Sequence, residues 1–365
     1  MKDVGREFSI RRCDVKDAAS LSTLFADEAM LSLTDVPPHS SAAYWEKRIS
    51  ALSDSAHLPL VAVVGQTIVA VLCLHGYPNY VRRKHCATVS LLAVAKAHRR
   101  SGIGRALIGE AIHACDQWLN VRRIDVAIDA NSAPLRRYYE SFGFVDEGVK
   151  HADLMREGGY ADMRVLARVN ERMLPAPASS APTVPKRRKL APIKLIVRAA
   201  TSDDAAGFAT VFSSRSAAAG TLQHPYTSSD IWQARLASNT TTRQATFVAL
   251  VNGKHVGNAG VHPVSDNPRQ QHVCGLGLGV IEPYQGRGVG RALMEACLDY
   301  ADHWANYPRV ELSVHADNVR AVKLYESLGF VVEGRYRDYS FREGGYVDAL
   351  FMGRLTKALA KARRV

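Results

Sequence analysis

Residues Arg99–Leu107 read RRSGIGRAL and residues Gln285–Leu293 read QGRGVGRAL, so one glycine-spaced phrase occurs twice, 186 positions apart. The repeat extends well beyond the glycines. At the same offset Trp118 meets Trp304, Arg123 meets Arg309, Gly143-Phe144 meets Gly329-Phe330, Gly148 meets Gly334, and REGGYAD from Arg156 meets REGGYVD from Arg342. Nearer the start of each half the offset is 187: Ile10-Arg11 meets Val197-Arg198, Asp17 meets Asp204, Thr34 meets Thr221 and Trp45 meets Trp232. One residue of length difference therefore lies between Trp45 and Gly102. A fixed-offset repeat of about 165 residues is the size of a domain, and a chain of 365 residues is long enough for two cores.

The expected organisation is a first domain over 1–170, a linker over 171–192, a second domain over 193–355 and a basic tail over 356–365. The linker contains LPAPASSAPTVPKRRKLAP (Leu174–Pro192). Proline fixes its own φ and disfavours helix in the residue before it, so this segment reads as an extended spacer. The net charge of +12 divides as +3 on residues 1–170, +4 on 171–192 and +5 on 193–365, with five basic residues in the closing GRLTKALAKARRV. Positive charge thus concentrates on linker and tail. KRRK reads as a solvated run, with a nucleic-acid patch or localisation signal as the alternative. No run of 18 apolar residues occurs, and MKDVGREFSI is too polar for a signal peptide. Six scattered cysteines make neither a CxxC pair nor a zinc pattern, so the expectation is a soluble cytoplasmic protein without metal.

In the second half TFVALVNGKHVGNAGVHPV reads as two strands joined by an Asn252-Gly253 turn, and CGLGLGVIEPY as a strand that stops at Pro283. GRALMEACLDYADHWA has helical periodicity, VELSVHA is a strand, NVRAVKLYESLG a short amphipathic helix, and two strands follow. The first half repeats this order. The glycine phrase therefore joins a strand to a helix. The first turn of a helix leaves N–H groups unpaired and carries partial positive charge, which suits an anion. Glycines let backbone approach that anion closely, and Arg105 or Arg291 adds charge at the rim. A P-loop would need Gly-Lys-Ser/Thr, and a dinucleotide fingerprint would need glycine where Arg291 stands.

Arg99-x-x-Gly102-x-Gly104 and Gln285-x-x-Gly288-x-Gly290 resemble the Gln/Arg-x-x-Gly-x-Gly/Ala pyrophosphate loop of the GCN5-related N-acetyltransferases (GNAT). Val94 and Val280 stand where that superfamily's fourth strand meets the pantetheine arm. Asn318-x-x-Ala321-x-x-x-Tyr325-Glu326-x-x-Gly329-Phe330 resembles its next helix. More narrowly, TLQHP (Thr221–Pro225), Trp232 and the REGGYVDA ending resemble the bacterial subgroup that includes L-amino acid N-acetyltransferases. The resemblance implies an α/β fold of three layers in each half, with a mixed, mainly antiparallel sheet, splayed before the glycine loop and flanked by helices. Two separate sheets are expected rather than one continuous sheet.

The same resemblance implies acetyl-CoA as cofactor, a primary amine as acceptor, on a small molecule such as an amino acid or on another amine, and direct attack in a ternary complex; a protein or peptide N-acetyltransferase is the alternative. Residues Val94, Arg99, Arg100, Gly102, Gly104 and Arg105, with Val280, Gln285, Gly286, Gly288, Gly290, Arg291 and Asn318, become the cofactor-binding candidates. Tyr325 and Tyr139 become the candidate acids for the leaving thiolate; packing of helix onto sheet is the competing reading of each. Thr221, Gln223 and Trp232, with counterparts Thr34 and Trp45, are the acceptor-side candidates, although the tryptophans read equally as core or pocket wall. LLAV (Leu91–Val94) and GLGV (Gly277–Val280) offer no carboxylate base, which leaves a water chain with Glu282 at its edge. His113, His151, His262 and His272 have no ligand spacing and read as surface or packing residues.

The halves differ. Ser132 replaces Asn318, Leu135 replaces Ala321, Val69 is set against Gly257, and TDVPP replaces TLQHP. The second half is closer to the family pattern, so it is expected to be catalytic. The first binds acetyl-CoA and acts on another substrate or weakly, or is a structural or acyl-CoA-sensing module. A nucleic-acid-associated protein is the remaining alternative, disfavoured by where the charge lies. Oligomeric state is not legible.

Overall fold

The structure, a computed structural model, describes residues 8–31, 34, 36–156, 158–173, 193–238 and 243–362. Most of the expected linker, including KRRK, lies outside them. The first half runs β1 (Ser9–Arg12), α1 (Ala18–Leu24), α2 (Glu28–Leu31), α3 (Ala42–Ser50), β2 (His57–Val64), β3 (Thr67–Gly76), β4 (Cys86–Val94), α4 (Ile103–Gln117), β5 (Arg123–Asp129), α5 (Ala133–Glu140), β6 (Val145–Arg156) and β7 (Gly159–Val169). The second runs β8 (Leu195–Ala199), α6 (Ala205–Ser213), α7 (Arg215–Ala219), α8 (Ser229–Ala237), β9 (Ala245–Val251), β10 (Lys254–Pro263), β11 (Val273–Val280), α9 (Val289–Asp299), β12 (Arg309–His315), α10 (Val319–Glu326), β13 (Val331–Arg342) and β14 (Gly345–Leu355). A short helix, α11 (Lys357–Ala362), follows, so part of the basic tail is helical.

Local chemistry accounts for these elements. Helix α4 buries Ile103, Leu107, Ile108, Ala111 and Cys115, one stripe at helical spacing, and α9 buries Val289, Leu293, Met294, Cys297 and Leu298. The turn between β9 and β10 places Asn252 and Gly253 at φ 51° and 74°, both left-handed, as a two-residue hairpin of this kind requires. In each half the strands neighbour in the order first, second, third, fourth, fifth, seventh, sixth, and only the fourth and fifth pair parallel. That parallel pairing is short: β4 leaves β5 after Val89–Val126, and β11 leaves β12 after Gly275–Glu311. Residues 90–94 and 276–280 therefore splay away from the fifth strand, and the gap opens at the strand end that leads into the glycine loop.

The one-residue length difference falls inside this splayed strand. Cys73 pairs with Leu91 and Leu74 with Val89, so Ser90 bulges out of β4, whereas β10 and β11 pair without interruption from Gly257–Val280 to Pro263–Cys274. The registers also correct one correspondence. Ala70 faces Val94 as Gly257 faces Val280, so the counterpart of Gly257 is Ala70 and not Val69.

The two sheets are not separate, contrary to expectation. Strand β6 meets β13 through one residue pair, Gly148 with Gly334, which makes a continuous 14-stranded sheet. The cause is the missing side chains: a Cβ on Gly148 would meet the Glu333 carbonyl oxygen at 2.3 Å, and one on Gly334 would meet that of Glu147 at 2.2 Å. Paired contacts flank this point with near two-fold symmetry. Buried Arg123 binds Glu147 at 3.0 and 2.5 Å and donates to the Arg337 carbonyl; buried Arg309 binds Glu333 at 2.8 and 2.6 Å and donates to the His151 carbonyl. His85 and His272 each lie 2.8 Å from a carbonyl of the opposite half, at Asp338 and Ala152. The symmetry breaks where Lys150 Nζ binds Glu311 at 2.9 and 3.1 Å, since Tyr336 stands at the position of Lys150.

Candidate active site

Each glycine loop rises from the splayed strand and turns into a long helix. Gly102 and Gly288 occupy the N-cap positions of α4 and α9 at φ 87° and 85°, with no side chain capping the first turn. Nothing lies within 4 Å of a Cβ built on either, so their requirement is backbone conformation and open approach. Gly286 is also left-handed, at 72°, and its counterpart Arg100 adopts 63° despite its side chain. Gly104 and Gly290 meet a packing limit instead: their Cβ atoms would lie 3.4 Å from the Tyr138 hydroxyl and 3.4 Å from Leu324.

The loop side chains brace the loop. Arg99 Nε donates to the Val94 carbonyl at 3.1 Å and Gln285 Nε2 to the Val280 carbonyl at 2.9 Å, the same bond in both halves. Arg105 and Arg291 reach Ser141 and Ser327, at 3.2 and 2.6 Å, and remain partly exposed at the rim. In the first half a cavity of about 470 Å³ opens beside these parts, lined among others by Thr34, Val94, Arg99, Gly102, Gly104 and Tyr138. An uncapped helix start, unobstructed glycines and arginines at the rim fit the pyrophosphate of coenzyme A.

Helix α10 carries the next candidates. The Asn318 side chain caps it, accepting from Ala321 N at 3.2 Å, and Ser132 caps α5 at 3.4 Å. Tyr325 is 8% exposed and packs against Phe330, while Tyr139 packs against Phe144. Burial pushes the Tyr325 phenol up to about 12 and raises Tyr139 as well, so both keep their proton at neutral pH. Trp45 packs against Phe25, and Trp232 stacks on Phe212 at 5.0 Å; both belong to the core between helices and sheet. Glu282 lies in an exposed turn after β11. His262 and His272 are lowered by burial, as packing residues are.

Thr34 and Thr221 occupy matching turns. Each is gripped from the opposite half: Arg269 donates to the Leu31 and Thr34 carbonyls, and Arg82 to those of Ala218 and Thr221. Gln223 accepts from Arg235 at 3.0 Å. Three residues whose roles the repeat did not show also emerge. The Tyr138 hydroxyl is buried beside Gly104 without a partner among the described residues, where the second half has Leu324. Asn258, 3% exposed on β10 with an amide nitrogen unpartnered among the described residues, stands where Val71 does. Arg82 is the third; it aligns with Arg269 at the offset of 187 and stands in a basic VRRK run before β4.

Among the described residues no three His, Cys, Asp or Glu groups converge as a metal site, and no helix is long and apolar enough to cross a membrane. The family model of the GNAT acetyltransferases matches residues 22–144 and again 195–330. An L-amino acid N-acetyltransferase of Escherichia coli is 35% identical over 162 residues, 44% of this chain and 98% of the relative. A spermidine N(1)-acetyltransferase of Vibrio cholerae is 40% identical over 70 residues, 19% of this chain and 40% of that protein. Among solved structures, a putative acetyltransferase from Salmonella typhimurium, determined with acetyl-CoA, is 20% identical with a TM-score of 0.42, covering 44% of this chain and 94% of its own. The chain belongs to the GNAT acetyltransferase family, carries two copies of its domain in one polypeptide, and is an acetyl-CoA-dependent acyltransferase.

Proposed function

We propose that the protein transfers an acetyl group from acetyl-CoA to the primary amine of a small molecule, that both halves bind acetyl-CoA, and that the C-terminal half performs the transfer. The observation that carries the assignment to this half is Asn318 at the cap of α10, where the first half has Ser132; the buried Tyr325 and the splayed β11 have counterparts in Tyr139 and β4. Relatives named for amino acids and spermidine support a small amine, while others are named for a ribosomal protein. Six buried free thiols suit a reducing cytoplasm.

Acetyl-CoA supplies an activated thioester, and the products are the N-acetylated amine and the free thiol. The chain's residues have four tasks. First-turn N–H groups of α4 and α9 hold the pyrophosphate, with Arg105 and Arg291 adding charge. The splayed backbone at Val94 and Val280 holds the pantetheine arm, and a backbone N–H there stabilises the oxyanion. Tyr325 donates its proton to the departing sulfur. The ammonium proton of the acceptor leaves through water, since neither 91–94 nor 277–280 offers a carboxylate.

Thiol release should be followed over free amino acids, polyamines, aminoglycosides and peptides. Release with one of the first three classes is the expected result, and release with peptides alone would overturn the small-molecule reading.

A further inference from the structure

Arg82 lies in the connection before β4 of the first half, yet every hydrogen bond found for its side chain goes to the second half. Nε donates to the Phe341 carbonyl at 2.8 Å; Nη1 donates to Ala218 at 2.8 Å, to Thr221, and at 3.5 Å to Gln223. The Thr221 and Gln223 carbonyls belong to TLQHP, that of Ala218 to α7 just before it, and that of Phe341 to β13. The turn from α7 into TLQHP abuts the start of α10, where a Cβ on Gly220 would lie 3.6 Å from Asn318 Nδ2. Arg82 is 8% exposed, and its Nη2 is buried without a partner among the described residues.

Carbonyl oxygens solvate a guanidinium but do not neutralise it, and among the described residues no carboxylate hydrogen-bonds Arg82; the one that acts on it from nearby, Glu343, pairs with Arg215 at 3.1 Å. Arg342, 4% exposed, lies near enough to act electrostatically on Arg82, and its own carboxylate partner is Asp317. His315 lies beside Ala219 of the same turn and hydrogen-bonds Ser340 at 2.8 Å. The equivalent place in the first half is different: Asp129 stands where His315 does and pairs with Arg156 at 2.5 Å. In the second half the carboxylate on the corresponding arginine comes from Asp317, just past the end of β12, and His315 takes the place of the strand-end carboxylate.

We propose that Arg82, reaching across from the N-terminal half, recognises the carboxylate of the acceptor in the C-terminal half, so that this half acetylates carboxylate-bearing amines of the α-amino acid class. The inference rests on the acetyltransferase reading above and adds the group that selects the acceptor. The free Nη2 supplies a charge-assisted bond that no decarboxylated amine can accept. The carboxylate contact then comes to the C-terminal half from the N-terminal one.

The full-length protein should be assayed with L-leucine, L-phenylalanine and L-histidine against 3-methylbutylamine, 2-phenylethylamine and histamine, which lack only the carboxylate. The expected kcat/KM preference for at least one amino acid over its amine is about 10²-fold or more. Arg82→Gln should collapse that preference to within about threefold while leaving the KM for acetyl-CoA unchanged, and Arg82→Lys should restore part of it. Arg269→Gln is the control for a loosened seam, because it removes the symmetry-related grip on Leu31 and Thr34 and should keep the preference. Equal turnover of acid and amine by wild type, or equal loss of preference in Arg82→Gln and Arg269→Gln, would overturn the proposal. Calorimetry with the three N-acetyl amino acids on the CoA-loaded protein reads the site without turnover. Binding by wild type and not by Arg82→Gln supports it even if every amine is inert, an outcome that would sink the small-amine reading alone; no binding of any acid by wild type, with no preference in turnover, overturns it.

Discussion

At the scale of single residues the sharpest question is what the Tyr325 hydroxyl does. Its ring is held by Phe330 and the core, and its proton is held by burial. Tyr325→Phe removes only that hydroxyl, so kcat should fall about 10²- to 10⁴-fold with acetyl-CoA affinity preserved. Turnover within about twofold of wild type would leave packing as its role. Tyr139→Phe, measured alongside, reports on the first half. The repeat made Tyr139 and Tyr325 visible because they align, and hid Tyr138 because its partner is Leu324. Which of two adjacent helical residues faces a loop depends on how α5 rolls against the sheet, and a sequence does not state that angle. Arg82 was hidden for another reason: its partners lie 136 or more residues away.

At the scale of elements, the strand-loop-helix unit was legible in detail, since strand periodicity, left-handed glycines and an amphipathic stripe each have a local signature. Gly288 sits at φ 85°, where any side chain costs roughly 1–2 kcal/mol and would crowd the anion. Titration calorimetry should therefore find close to two acetyl-CoA sites in wild type and close to one in Gly288→Val; two retained sites would count against the loop. The Ser90 bulge was legible only as an offset changing from 187 to 186 somewhere over more than fifty residues. Its place is chosen by pairing across β3 and β4, and pairing between strands is a non-local property.

For the whole molecule, two domains were legible and their junction was not. One glycine pair joins the sheets, so Gly148→Val should drive a side chain into the Glu333 carbonyl. That overpacking costs roughly 1–3 kcal/mol, read as a lowered midpoint in thermal unfolding, whereas Gly65→Ala, with open space at φ 59°, should cost less. Acid should loosen the same region. Burial, then Arg82 and Arg342, hold His315 down at about 4, with Asp317 and Ser340 beside it. A depressed imidazole favours the folded state above its unfolded value of about 6.5 and loses that advantage as pH falls through 4. Glu311, held low by Lys150 and Arg309 against burial, adds a loss further down. Melting temperature should thus hold above about pH 6.5 and decline toward pH 4, and His315→Gln should flatten that span. The reciprocal grip of Arg82 and Arg269 has an evolutionary corollary. In an assembly of identical subunits any change to such an arginine appears in every pocket at once. Joined as one polypeptide, the two pockets are written by different codons, so one can acquire a new acceptor while its twin keeps the old one.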